Sequence, residues 1–475
     1  MKAFTEPLLS LAGFEEMTKT AEKSSGLISV TGCIDAQKSQ MIYAFGGHRK
    51  NKLIVTFGEQ KAKELYDEYS FFDKEVVYYP SKDVLFYQSD IRGNLLTAER
   101  IRALKAIREK ESVTLVTTFD ALMNTMAPIE KMWENVLTLE QGQLLDLKEI
   151  QAALIRMGYE KEYQVQTMGQ FSVRGGILDV FPLTEENPIR IELWGDEIDT
   201  IRYFDCESQK SIENTDSVSI YPAAELVLSD EEKAGGIEKL KAEAKRVSDK
   251  LRKQMKTEEA HRVSVMADEL TEEWGELSMY AGMDAFLSYF FDERVGILDY
   301  FNPSDSLIFF DELTRCTEQG KLTETEFSES MKQRLAMGYI LPGQMNGLFT
   351  EKEIVAKLEK YSCIALGALD NKANGLHQLG SYGIHCQSVS PYNNSFELLI
   401  KDLKRYKKNG YRVILLSGSR TRAKRLSEDI TDQGITCFYT ENYDHELSEG
   451  QIMVCYGKVR RGFEYPILKF AVITE

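Results

Sequence analysis

The sequence predicts an α/β chain: one αβ lobe interrupted by a β-rich (α+β) insertion, then a second, smaller αβ lobe. Three observations predict it. Strand-like runs alternate with helically spaced segments over residues 26–118. A two-residue alternation takes over at 189–204, and the αβ texture returns at 306–310 and again after 394. Strand–helix alternation argues for a mostly parallel sheet covered by helices, and period-two segments joined by tight turns argue for antiparallel pairing.

The elements follow in order. GLISVTG (26–32), LIVTF (53–57), VVYYP (76–80) and VTLVTT (113–118) read as strands, and segments 59–72 and 97–110 have helical spacing. The texture changes near 125, with a short helix at 147–158 ahead of the insertion's sheet. In that sheet Ile189, Ile191 and Leu193 point to one face, and Arg190, Glu192 and Trp194 to the other, because successive strand side chains alternate. Gly195-Asp196 turns the chain into a second strand, 198–204. Residues 229–275 are highly charged with mixed signs at helical spacing, which fits solvated helices. SLIFF (306–310) restores the first lobe. The final stretch reads as helix 394–408, strand 412–417, helix 421–433, strand 435–440, and strands near 451–455 and 467–474. The predicted domains are therefore 1–124 with 217–388 as the first lobe, 125–216 as the insertion, and 389–475 as the second lobe.

Composition narrows the function classes. A chain of 475 residues, 43% hydrophobic and 28% charged, holds roughly three ordinary domains. It has no apolar run of about 18 residues that would span a membrane, and its acidic N-terminus lacks a secretion-signal pattern. The seven cysteines are scattered without a C-x-x-C pair, and five histidines form no metal-ligand pattern; a reducing cytoplasm is expected. The net charge of −17 argues against strong non-specific DNA binding, which needs clustered Lys and Arg, and leaves protein partners open.

The first strand leads into Gly32-Cys33-Ile34-Asp35-Ala36-Gln37-Lys38-Ser39, where a G-x-x-x-x-G-K-[ST] phosphate loop belongs. Gly32, Lys38 and Ser39 match the pattern. Gln37 replaces the second glycine and obstructs close backbone approach, and Asp35 places a negative charge in the cradle. The loop is expected to be a relic, with Lys38 and the helix N-terminus able to attract at most a single anion. Asp311-Glu312, after an apolar strand, reads equally as a relic Mg²⁺-holding element or as an acidic helix start.

The insertion carries the most specific signal. Alternation alone also fits an ordinary half-buried sheet with one exposed tryptophan. However, F-x-V-R-G-G-x-L-D-x-F-P (Phe171 to Pro182) and R-I-E-x-x-G-D-E-I-D-x-I-R (Arg190 to Arg202) resemble the UvrA-binding domain shared by UvrB and the transcription-repair coupling factors. The resemblance covers essentially the whole chain and implies helicase-like (RecA-like) lobes around that domain. Near the end, Val459 to Pro466 resembles a second-lobe helicase segment, with Glu464 at its acidic position. The resemblance implies that Arg174, Arg190 and Trp194 bind UvrA, Trp194 standing where a phenylalanine is usual.

Among these relatives the chain resembles the N-terminal UvrB-like module of the coupling factors more than UvrB itself. Its phosphate loop is broken, the segment after Tyr79-Pro80 is too short for UvrB's DNA-gripping hairpin, and it ends on a coupling-factor-like GFEYPILKFAVITE. The implied role is recruitment of UvrA to lesions at stalled RNA polymerase in transcription-coupled nucleotide excision repair, with no catalytic residue and no cofactor in this stretch. The intact protein is expected to continue past Glu475, with RNA polymerase and DNA as further partners and an ATP- and Mg²⁺-dependent DNA translocase beyond. A C-terminal domain that masks the UvrA surface in the family would be absent here. The alternative is an ATP-hydrolysing UvrB-type helicase or damaged-DNA-binding domain.

Overall fold

The computed structural model describes residues 1–47, 49–82, 93–276, 282–392 and 395–475. The segment after Pro80 on which the missing hairpin was judged lies largely outside the described residues. The first lobe is a seven-stranded sheet. Its order is 378–383, 26–31, 362–366, 306–311, 51–56, 113–118 and 76–79, and every pairing in it is parallel. Strands Val113–Thr118, Ser306–Asp311 and Ser362–Leu366 are buried along their full length, as expected of a parallel sheet covered on both faces. Helices Asp35–Gly46, Glu59–Tyr69, Gly93–Glu109 and Leu313–Ala336 accompany it.

The insertion is a six-stranded sheet ordered 211–215, 197–204, 189–194, 177–180, 170–174 and 160–161, with helix Leu147–Arg156 on its apolar face. A two-stranded ribbon pairs Leu137–Glu140 with Ser217–Ile220 and forms its neck. The expected bounds of 125–216 shift accordingly. Met126, Ile129 and Met132 pack into the first lobe's core, and the 217–220 strand belongs to the neck.

The expected span 217–388 also gives up a piece. Helices Asp230–Lys253 and Thr257–Glu276 form a hairpin whose Leu240, Ala244, Val263 and Ala267 pack with Leu226, Leu228 and Trp274 in a core of their own. Its entry is fixed by a capping box, Ser229 with Glu232.

The second lobe has six strands ordered 387–388, 463–465, 470–474, 412–417, 452–456 and 438–439, the first two antiparallel to their neighbours. Helices Phe396–Lys408 and Arg420–Asp432 cover one face. The other face joins the first lobe in one continuous core. Ile28, Val30 and Ile54 of the first lobe share it with Ile414, Met453, Phe470 and Val472 of the second, capped by Phe4 and Leu8. A buried hydrogen bond from the Tyr465 hydroxyl to Gln40 Oε1 (3.1 Å) crosses the same seam.

Candidate docking face and filled phosphate loop

The insertion's second face is built by register. Asp179 stands opposite Arg190, Arg202 stands on the other side of Arg190, and Ile177 faces Glu192. Ile189 and Ile191 turn to the apolar core, so Arg190 and Trp194 fall on the opposite face as the alternation required. Gly195, at φ +67°, opens the two-residue turn that pairs Trp194 with Glu197. Trp194 is 83% exposed and borders an open groove lined by Glu140, Glu197, Asp199 and Asp216.

The two arginines are not free-standing. Arg190 donates from Nε to Asp179 Oδ1 (2.7 Å), and from Nη2 to Asp179 Oδ2 (2.8 Å) and Gln209 Oε1 (2.8 Å). Its guanidinium lies 4.3 Å from the centre of the Phe204 ring. Arg174 donates from Nη2 to the same Asp179 Oδ2 (2.8 Å). The Asp179 side chain is 1% exposed, Arg190 12% and Arg174 36%. The hydrogen bond that Arg190 donates to Asp179 raises the Arg190 pKa against the opposing effect of burial. Beside this fork, Arg202 grips Glu192 with two bonds of 2.8 and 2.5 Å. The structure thus brings Arg174 and Arg190 together, with Trp194 further along the same strand as Arg190. It adds a residue the sequence reading passed over, Asp179. The signal was present: aspartate is depleted in strands, and this one sits between Leu178 and Val180 in an otherwise apolar run.

The segment expected to be a relic phosphate loop is held by contacts within the chain. Gly32 has φ +78°, and a Cβ there would collide with the carbonyl of Ile384. The amides of Gly32 and Cys33 donate to the carbonyls of Ala368 (3.2 Å) and Gly367 (3.0 Å), and that of Ile34 donates to Gln37 Oε1 (3.2 Å). Lys38, 1% exposed, is held by Asp311 (2.5 Å), Glu312 (3.0 Å) and Asp35 (3.1 Å). Burial opposes its charge, but these carboxylates win and keep the ammonium above its ordinary pKa. Asp311 also accepts from Thr56 (3.0 Å). Among the described residues, the buried Ser39 hydroxyl has no hydrogen-bond partner. The amides of Gly32, Cys33 and Ile34 are engaged, and the lysine that would meet a phosphate carries three acids. As arranged, these residues do not fit a polyphosphate.

Asp311 and Glu312 therefore act here as partners of Lys38. Glu312 is the N-cap of helix Leu313–Ala336 in the left-handed region (φ 58°), and its side chain makes no cap hydrogen bond. Glu464 does not join the loop. Phe463 and Tyr465 face the seam, while Glu464 turns to the helix-covered side, where burial first and then its hydrogen bond raise the Tyr406 pKa. Among the described residues no group of His, Cys, Asp and Glu could hold a metal ion, and no helix is long and apolar enough to cross a membrane.

Residues 137–226 match the family model of the UvrB interaction domain. The Transcription-repair-coupling factor of Bacillus subtilis (strain 168) is 28% identical over 425 residues, covering 89% of this chain and 35% of that protein. That of Staphylococcus haemolyticus is 26% identical over 94% of this chain and 38% of its own length. That of Staphylococcus aureus (strain MRSA252) is 26% identical over 97% and 39%. The chain thus spans well under half the length of these curated relatives. It carries a UvrB interaction domain at residues 137–226 and is similar over most of its length to transcription-repair coupling factors.

Proposed function

We infer that this chain serves transcription-coupled nucleotide excision repair as a docking module, recruiting UvrA to lesions at stalled RNA polymerase without hydrolysing ATP. The observation that carries this reading is Trp194, 83% exposed on the same sheet face as the Arg174–Arg190 fork. An exposed tryptophan beside arginines is the side-chain combination that dominates protein–protein hot spots. The filled phosphate loop supports the absence of catalysis. Contacts with RNA polymerase and DNA, and an ATP- and Mg²⁺-driven translocase, are assigned to the remainder of the longer relatives, and the cytoplasm is the expected setting.

Calorimetry against UvrA tests the reading. The wild-type chain should bind, and the Arg174→Ala/Arg190→Ala/Trp194→Ala variant, once circular dichroism shows it folded, should lose at least about 2 kcal/mol of affinity. Equal binding by both, or none by either, would return attention to the alternative of a nucleotide-hydrolysing helicase domain. An ATP titration then decides: saturable ATP binding that Lys38→Ala abolishes would support that alternative.

A further inference from the structure

We propose that Asp179 is the positioning residue of the docking face: its buried carboxylate orients Arg174 and Arg190 so that their outer N–H groups await a carboxylate of the partner. The inference rests on the UvrA-docking reading and adds how the face is set before the partner arrives.

Three observations carry it. First, one carboxylate serves two guanidiniums. Its oxygens accept three hydrogen bonds, two from Arg190 and one from Arg174, at 2.7–2.8 Å. Second, donors are left over. Among the described residues, Nε and Nη1 of Arg174 and Nη1 of Arg190 make no hydrogen bond within the chain. Two cations sharing one anion also leave the fork with a net positive charge, which fits an acidic partner group. Third, the chain holds the fork from the far side at a conformational cost. Gln209 sits in the left-handed region (φ 57°), sparse for a residue with a side chain, and there its Oε1 reaches Arg190 at 2.8 Å. Phe204 closes the stack beneath.

Stability alone does not account for this arrangement. A buried ion cluster generally gives a fold no more than well-packed apolar residues of similar volume would. The opposite face of the same strand pair, Leu178 with Ile191, shows the apolar solution in use. A fork with locked rotamers, by contrast, loses little side-chain entropy when a partner binds.

The test combines a substitution cycle with a measurement on the wild-type chain. Asp179→Asn keeps the side-chain shape and removes its charge. It should weaken UvrA binding about tenfold, and in its background Arg174→Ala should add less than about twofold, whereas Trp194→Ala should cost the same in both backgrounds. Asp179→Glu, which restores the charge, should recover part of the affinity. Unchanged binding by Asp179→Asn, or full additivity with Arg174→Ala, would overturn the proposal. Equal loss of coupling to Trp194 would overturn it too, by indicating general disruption of the sheet. If Asp179→Asn does not fold, or the wild-type chain does not bind UvrA, NMR of labelled arginine side chains in the unbound wild-type chain decides. Restricted guanidinium rotation at both Arg174 and Arg190 is expected, and free rotation at Arg174 would refute the orienting role whether or not UvrA proves to be the partner.

Discussion

Two cation–carboxylate clusters stand in this molecule, and they are arranged in opposite senses. At the phosphate loop one buried lysine, Lys38, is shared by three acids, and the neighbouring amides are taken up by residues 367–368. On the inserted sheet one buried acid, Asp179, is shared by two arginines whose outer donors remain available. The first cluster is closed on itself, with acids in the place of a ligand's charge. The second is left short of anions at the surface. An ionic site in surplus of its own counter-charge is closed to further anions, whereas one in deficit keeps a net positive charge.

Arg190→Glu should break the comparison most severely. It places a second carboxylate against buried Asp179, so the insertion should lose about 3–5 kcal/mol of stability, beyond any effect on a partner. Chemical denaturation followed by near-UV dichroism checks this, and unchanged stability would show that the fork is not closed in solution. Lys38→Ala should cost the first lobe a similar amount, about 3 kcal/mol, because Asp311 is left buried with only Thr56. UvrA affinity measured below the unfolding transition should be untouched; a loss would tie the two clusters together and erase the contrast. Trp194→Ala should do the reverse, costing about 2 kcal/mol in UvrA binding with no change in melting temperature, since its ring is solvated in the free chain.

The smallest effect sharpens the seam side. Glu68 is buried near Arg460 of the second lobe, and burial pushes its pKa up to about 7 from an ordinary 4.5. A carboxyl raised on folding favours the folded state while protonated, so its contribution is full below about pH 4.5 and is lost as pH rises through about 7. Glu68→Gln should therefore be near neutral at pH 5 and stabilise the chain by about 1–2 kcal/mol at pH 8, as read from denaturation midpoints at the two pH values. Stabilisation that is equal at both would deny the titration.

Much of the architecture was legible because local pattern and burial agree. The β-branched runs at 26–31, 51–56 and 113–118 are buried strands, and the alternation at 189–204 did place Arg190 and Trp194 on one face. Strand Gln378–Gly383 was not legible. QLGSYG has no apolar alternation, and it is a strand only because it pairs with Leu27–Thr31 across a register shift. Helices 230–276 were recognised as helical, but their dense charge hid the apolar spacing of Leu240, Ala244, Val263 and Ala267 that earns them a separate core. The closure of the phosphate loop by residues 367–368 and the meeting of both arginines at Asp179 are tertiary facts. Sequence supplies the residue types there but not the distances between them.

The ribbon of Leu137–Glu140 with Ser217–Ile220 has a consequence for chain entropy. It brings both ends of the insertion side by side, so the host lobe experiences the whole insertion almost as it would a short hairpin. Closing a longer loop adds only about 0.6 kcal/mol for each doubling of length. A unit with adjoining ends and its own apolar core can be gained, lost or transplanted at low cost to whatever carries it. The match of a family model to residues 137–226 coincides with this unit.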